Sequence, residues 1–480
     1  QGYSSAASDV YKRQDYKMFK NDYIFYDIAK QGGQRIATAY ETAFRQLSAV
    51  YYRRIAENGN VPSMVTLFKL YGYTSEMVKS NTILKKILEN WSNNDVTRNL
   101  SVPIGENEHG VINLDLYEKA DGPHMLVAGT TGSGKSETII TYLIGLCMKF
   151  SPTYLNLMLV DMKGGGFSNR LHSLPHCVGV VDDTAGESEG ISAVYMLKRF
   201  LEVLNAEIKR RKILLNEFGV DNVDAYIRAE RTITKILMGD KSPALLRSLN
   251  PKQKEQFQKL AHKHVLPTTL SHLVLVVDEF TELKRFSSES DDIDFIAEIT
   301  TIARVGRTLG FHIILVSQNI EGAITEDIRI NSKSRICLKV ATRAASKEML
   351  DGRPDAASPT MPGNGRAYLL VGTGSKFMYF QSAYTGANKD ENIEPVVRAT
   401  QVLPCGNHNS DYYISTNHNK RIKKASSNVN EHDTQLSYIV QVIGQVKKEN
   451  THEQYYRIPR EIFKKPLKTE NPDPTKWRYE

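Results

Sequence analysis

From residue 123 onward, short apolar runs alternate with longer stretches whose apolar residues recur at helical spacing. PHMLVAG, LNLMLVD (155–161), CVGVVDD (177–183), HLVLVVDEF (272–280), HIILVS (312–317) and RICLKV (335–340) read as buried strands. KSETIITYLIGLCMKF (135–150) reads as a helix that begins inside a glycine-rich loop. A second helix spans roughly 187–217, introduced by a capping box of Thr184 and Glu187. A third opens at Asp291 and ends at Gly310. RAYLLV (366–371) and KFMYFQSAY (376–384) read as a closing hairpin. Continuous apolar strands alternating with helices predict an α/β fold, with a mostly parallel sheet covered by helices on both faces.

The flanks follow other patterns. Ile36, Tyr40, Phe44, Leu47, Tyr51 and Ile55 recur at helical spacing across 33–58, and a further helical stretch covers about 74–91. SVPIGENEHGVINLDL predicts two short strands around a turn at Asn107–Gly110. After 387 the chain turns polar, with one amphipathic helix at 434–449 and a Pro- and Lys-rich linker at 458–475. The predicted organisation is a helical and short-strand region over 15–121, an ATPase domain over 122–387 with a basic helical insertion at 228–271, and a linker with a helix over 388–480. Residues 1–14 lack hydrophobic periodicity and read as a cloning or sequence-assembly remnant, and both ends read as those of a fragment.

Composition changes little. Hydrophobic residues make up 41% and charged residues 24%, ordinary values for a globular chain. The net charge of +8 is a mild bias over 480 residues. The four cysteines are far apart without a C-x-x-C pair, which predicts a reducing, cytoplasmic setting. No apolar run reaches the ~18 residues that span a bilayer.

The chemistry concentrates in Gly129-Thr130-Thr131-Gly132-Ser133-Gly134-Lys135-Ser136, which fits G-x-x-x-x-G-K-[ST] between a strand and a helix. The glycines let backbone N–H groups close around phosphate oxygens, and the helix N-terminus favours the anion. Lys135 is expected on the β/γ-phosphates of ATP and the Ser136 hydroxyl on Mg²⁺. A second acidic site is expected on a neighbouring strand. There Asp278 would hold the Mg²⁺ shell and Glu279 would polarise the attacking water. Gln318, after the next apolar strand, is placed to sense the γ-phosphate or its water. Arg304 and Arg307 lie i,i+3 beside the core stripe of their helix. Either an arginine finger for a neighbouring subunit, Arg307 first, or ordinary surface ion pairing would use them.

These motifs together resemble the FtsK/SpoIIIE branch of hexameric RecA-like P-loop NTPases, and within it the membrane-bound ATPases of type VII secretion (EssC/EccC, YukB-like). The resemblance is carried by GPHMLVAGTTGSGKSET (122–138), LMLVDMKGGGF (157–167), LPHCVGVV (174–181), LVVDEFTEL (275–283), ARVGRTLGFHIILVSQ (303–318), PDAASPTMPGNGRAYLLVG (354–372) and FQSAYTG (380–386). It implies the first ATPase domain of a longer protein with transmembrane helices upstream, at the cytoplasmic face of the cell membrane. It further implies a hexamer of tandem ATPase domains, secretion-channel membrane proteins as partners, and small secreted proteins of the WXG100 type as cargo. Family likeness strengthens Arg307 as an intersubunit finger, and the sequence alone gives Asp161 and Lys163 a place near the nucleotide edge without a role.

Three functions compete: a protein-secretion motor, a double-stranded DNA translocase on the same core, and a nucleotide-binding scaffold with little turnover. The fold does not separate them. DNA motors of this family carry a DNA-reading winged helix at the C-terminus, and nothing here resembles it.

Overall fold

The computed structural model describes residues 61–163, 166–182, 193–240, 242–289, 293–390, 398–400, 411–413 and 433–448. The expected helix at 33–58, the Thr184–Glu187 capping box, Asp291 and the 458–475 stretch lie outside these residues. The chain divides into two units, 1–61 with 393–424 and 62–392 with 425–480. The described part of the first is, besides Val61, an antiparallel ribbon of Arg398–Thr400 and Asp411–Tyr413.

The second unit is built on one sheet. Its strands are β1 (Val65–Thr66), β2 (Ser101–Asn107), β3 (Gly110–Asp115), β4 (Met125–Ala128), β5 (Leu155–Asp161), β6 (Cys177–Asp182), β7 (His272–Asp278), β8 (Phe311–Ser317), β9 (Ser334–Leu338), β10 (Arg366–Val371) and β11 (Lys376–Tyr384). They lie in the order β3-β2-β11-β10-β9-β4-β8-β7-β5-β6, with β1 beside β11. From β9 to β6 all pairings are parallel, and from β9 to β3 all are antiparallel. Every residue of β4, β5, β7 and β8 is buried. Side chains alternate between the faces of a strand, so burial at every position means that both faces are covered.

The expected helix from Asp291 to Gly310 is shorter, at Phe295–Gly306. Asp294 caps it, its carboxylate accepting from the backbone N–H groups of Ile296 and Ala297, both at 3.0 Å. These amides would otherwise have no partner, so the helix starts there. The insertion is helical, at Val223–Leu237, Pro243–Ser248 and Pro251–Lys263. The last of these is set by an Asn250–Gln253 capping box with proline at its first turn. Its Lys252, Lys254, Lys259, His262 and Lys263 are exposed. The helix Gln435–Lys448 lies within the larger unit, burying Leu436, Ile439, Val442, Ile443 and Val446. The Gln435 side chain accepts from the Phe68 N–H at 2.9 Å.

Candidate active site

The glycine-rich loop leaves the end of β4 and enters the helix Lys135–Lys149. Backbone contacts fix the loop from both sides. Thr130 N–H donates to Lys339 O at 2.8 Å, and Gly365 N–H donates to Ser133 O at 2.8 Å. Gly132 and Gly134 hold φ of 75° and 99°, values at which a side chain is strained. The first turn of the helix thus points its free N–H groups into the space above the sheet.

The acidic strand does not adjoin the P-loop strand, contrary to the sequence expectation. β8 lies between β4 and β7, paired in parallel with both. The spacing has a use, because it puts Gln318, at the end of β8, between loop and acids. Thr131 Oγ1 donates to Gln318 Oε1 at 2.8 Å.

Lys135 is buried, 6% exposed, with its Nζ 3.6 Å from Glu279 Oε2 and 3.9 Å from Asp278 Oδ1. Burial lowers its pKa, opposed by the charges of Asp278 and Glu279. Burial raises that of Asp278, helped by Asp161 and Glu279 and opposed by Lys135. Glu279 is different: burial pushes its pKa up, but a hydrogen bond from Lys163, others from Ser317 and the Gln318 amide, and the Lys135 charge hold it at about 2. Glu279 Oε1 accepts from Ser317 Oγ at 2.6 Å, Gln318 N at 3.0 Å and Thr281 Oγ1 at 3.0 Å, while Oε2 accepts from Lys163 Nζ at 2.7 Å. Its backbone is left-handed, φ 56° and ψ 53°.

Lys135 Nζ, Asp278 Oδ1 and Ser133 Oγ are buried without hydrogen-bond partners. Buried polar groups without hydrogen bonds are costly, so the ammonium and the carboxylate oxygen, held together only by charge at 3.9 Å, mark a site built for a ligand. A buried ammonium at a helix N-terminus fits a phosphate, and a carboxylate oxygen beside it that accepts no hydrogen bond fits a divalent cation. The donor set therefore fits a nucleotide with Mg²⁺.

The model of the FtsK/SpoIIIE family matches residues 84–321, a span holding the P-loop, both acids and Gln318. The chain belongs to the FtsK/SpoIIIE family. This family member is 35% identical over 348 residues to the ESX secretion system protein EccC of Geobacillus thermodenitrificans, covering 72% of this chain and 20% of the relative. It is 34% identical over 331 residues to the type VII secretion system protein EssC of Staphylococcus aureus, covering 69% of this chain and 19% of the relative. The chain thus spans about a fifth of the length of these curated relatives. Among solved structures, the cytoplasmic domain of the type VII secretion ATPase EccC from Thermomonospora curvata shares the fold. The TM-score is 0.56 at 24% identity, over 85% of this chain and 36% of that one. No helix among the described residues is long and apolar enough to cross a membrane.

One expected site residue of this FtsK/SpoIIIE chain stays apart. Arg307 caps the C-terminus of Phe295–Gly306 and precedes β8, whereas Gln318 follows it. A seven-residue strand spans about 23 Å, so Arg307 lies at the edge of the sheet opposite its own P-loop. Arg304 is exposed and Arg307 half-buried, with Nη2 3.4 Å from Asn331 Oδ1. Other members of the site escaped the sequence. Ser317 and Thr281 are short hydroxyls without a motif. The Gly363–Gly365 backbone reaches the P-loop from β10. Lys163 stood in a recognised segment, but only the register of β5 on β7, Asp161 opposite Asp278, brings it to Glu279.

Proposed function

We propose that this chain is the ATP-hydrolysing motor domain of a membrane-bound type VII protein secretion ATPase. The observation that carries the reading is the pair Lys135 Nζ and Asp278 Oδ1, buried without hydrogen bonds beside the Glu279 carboxylate at the end of the glycine-rich loop. The loop Gly129, Thr130, Thr131, Gly132, Ser133 and Gly134 wraps the phosphates with backbone N–H groups. Lys135 neutralises the β/γ-phosphates, and Ser136 and Asp278 would hold Mg²⁺, which would supply further neutralisation of phosphate charge. Glu279 orients the attacking water and takes its proton, and Gln318 reads the γ-phosphate while tethered to Thr131. Arg307, turned from its own site, serves the site of a neighbouring copy in a homo-oligomer, a hexamer in this reading.

The domain works as the first of several tandem ATPases in a longer protein at the cytoplasmic face of the cell membrane. Its partners are secretion-channel membrane proteins, and its cargo is WXG100-type proteins. The similarity to EccC and EssC supports secretion over duplex DNA transport. The test is steady-state ATPase activity against chain concentration, with Glu279→Gln as control. Turnover rising steeply with concentration and lost in the control supports the motor. Turnover stimulated by duplex DNA and not by WXG100 protein would replace secretion by DNA transport. Tight binding without turnover at any concentration would leave a scaffold.

A further inference from the structure

We propose that Lys163 is a restraint on the water-activating glutamate: its ammonium occupies Glu279 Oε2, and turnover requires it to move aside. The proposal rests on Glu279 being the group that takes the water's proton. Glu279 is fixed without Lys163, since Oε1 already accepts from Ser317 Oγ, Thr281 Oγ1 and the Gln318 N–H. Oε2 is the oxygen turned toward Lys135, 3.6 Å away, and so toward the phosphate side. Lys163 Nζ sits on this oxygen at 2.7 Å. A carboxylate whose oxygens are taken up by protein donors has little capacity left to accept a proton from water.

The two partners differ in freedom. The glutamate side chain is 4% exposed and tied at three points, whereas the lysine side chain is 41% exposed. Its backbone N–H is held by Asp161 Oδ1 at 3.1 Å, which anchors the base of the side chain and leaves its tip free to swing. When the pair opens, the lysine is the member that leaves. Because the ammonium keeps contact with solvent, it can leave Oε2 for water, and while paired it lowers the fraction of time in which Oε2 is available.

The test uses the full chain with Lys163→Met, Lys163→Arg and Glu279→Gln. Lys163→Met is expected to raise kcat roughly fivefold or more, fivefold being the factor that an ordinary exposed pair withholds, with KM and ATPγS affinity unchanged. Lys163→Arg, which keeps the pair, is expected to be no faster than the parent. A readout free of turnover is acetylation of Lys163 in the nucleotide-free chain, followed by peptide mass spectrometry. It is expected to be slow in the parent and several-fold faster in Glu279→Gln, while exposed Lys284 labels equally in both. A lower kcat in Lys163→Met, or equal Lys163 labelling in parent and Glu279→Gln, overturns the proposal. Full turnover in Glu279→Gln would instead remove the role of Glu279 itself.

Discussion

Gly134 and Gly365 meet backbone to backbone. A Cβ on Gly134 would lie 2.7 Å from both Cα and N of Gly365, and the Gly365 N–H is committed to Ser133 O. Gly134→Ala therefore meets a left-handed φ and immovable backbone at once. The expected result is loss of nucleotide affinity by about a hundredfold, because the loop must open to relieve the contact. Gly132→Ala, with φ 75° and open space around it, is expected to cost only about 1 kcal/mol of strain. Titration with a fluorescent ADP compares the two.

Lys135→Ala removes the buried ammonium from the phosphate site. A charge-assisted hydrogen bond contributes about 1.5–3 kcal/mol, so nucleotide affinity is expected to fall by roughly ten- to a hundredfold. The same titration checks this, and unchanged affinity would exclude Lys135 from phosphate binding.

Arg307 cannot reach the phosphates bound in its own subunit, so its substitution separates chemistry from binding. Arg307→Ala is expected to lower kcat by about 10³-fold and leave nucleotide affinity intact, with Arg304→Ala much milder. Mixing Arg307→Ala with Glu279→Gln chains is expected to regain turnover that neither has alone, since each supplies what the other lacks. An inactive mixture in which the chains demonstrably co-assemble would refute the finger in trans.

Acid should destabilise the fold through its buried histidines. Burial pushes His124 and His176 from an ordinary 6.5 down to about 4. The carbonyls of Ala303 and Phe150 oppose this, and the Arg307 charge lowers His124 further. His124 is satisfied as a neutral ring, Nε2 donating to Ala303 O and Nδ1 accepting from Ile313 N. Between these values the unfolded chain binds protons that the folded chain refuses. Stability is thus full above about pH 6.5 and falls as pH drops toward 4, by up to about 3 kcal/mol per histidine. Urea unfolding from pH 7.5 to 4.5 measures it, and a flat profile would contradict the buried neutral rings.

The central strands were legible because each is an unbroken apolar run, as in LNLMLVD and HLVLVVD, and the P-loop because its glycines have few other uses. Strand order was not. Nothing in HIILVS says that it inserts between MLVA and HLVLVVD, since parallel neighbours are joined by distant crossovers. Asp294 rather than Asp291 starts its helix because capping depends on which carboxylate meets the first free amides, and three neighbouring aspartates (291, 292 and 294) offer the sequence no such distinction. Lys163 and Ser317 were invisible as partners of Glu279 for the same reason as the strand order: register across the sheet, not spacing along the chain, brings them together.

The left-handed backbone of Glu279 means that the carboxylate proposed to activate water is held against the conformational preference of its own residue. A non-glycine residue in that region is disfavoured by about 1 kcal/mol or more, and asparagine tolerates it better than glutamate. Glu279→Asn is expected to relax the backbone at the end of β7 while abolishing turnover, so the inactive protein should melt no lower than the active one despite losing the carboxylate's hydrogen bonds. A lower melting temperature would show that those bonds outweigh the strain. If the variant instead melts no lower, drift toward a catalytically silent domain at this position meets no resistance from folding, only from the need for the motor.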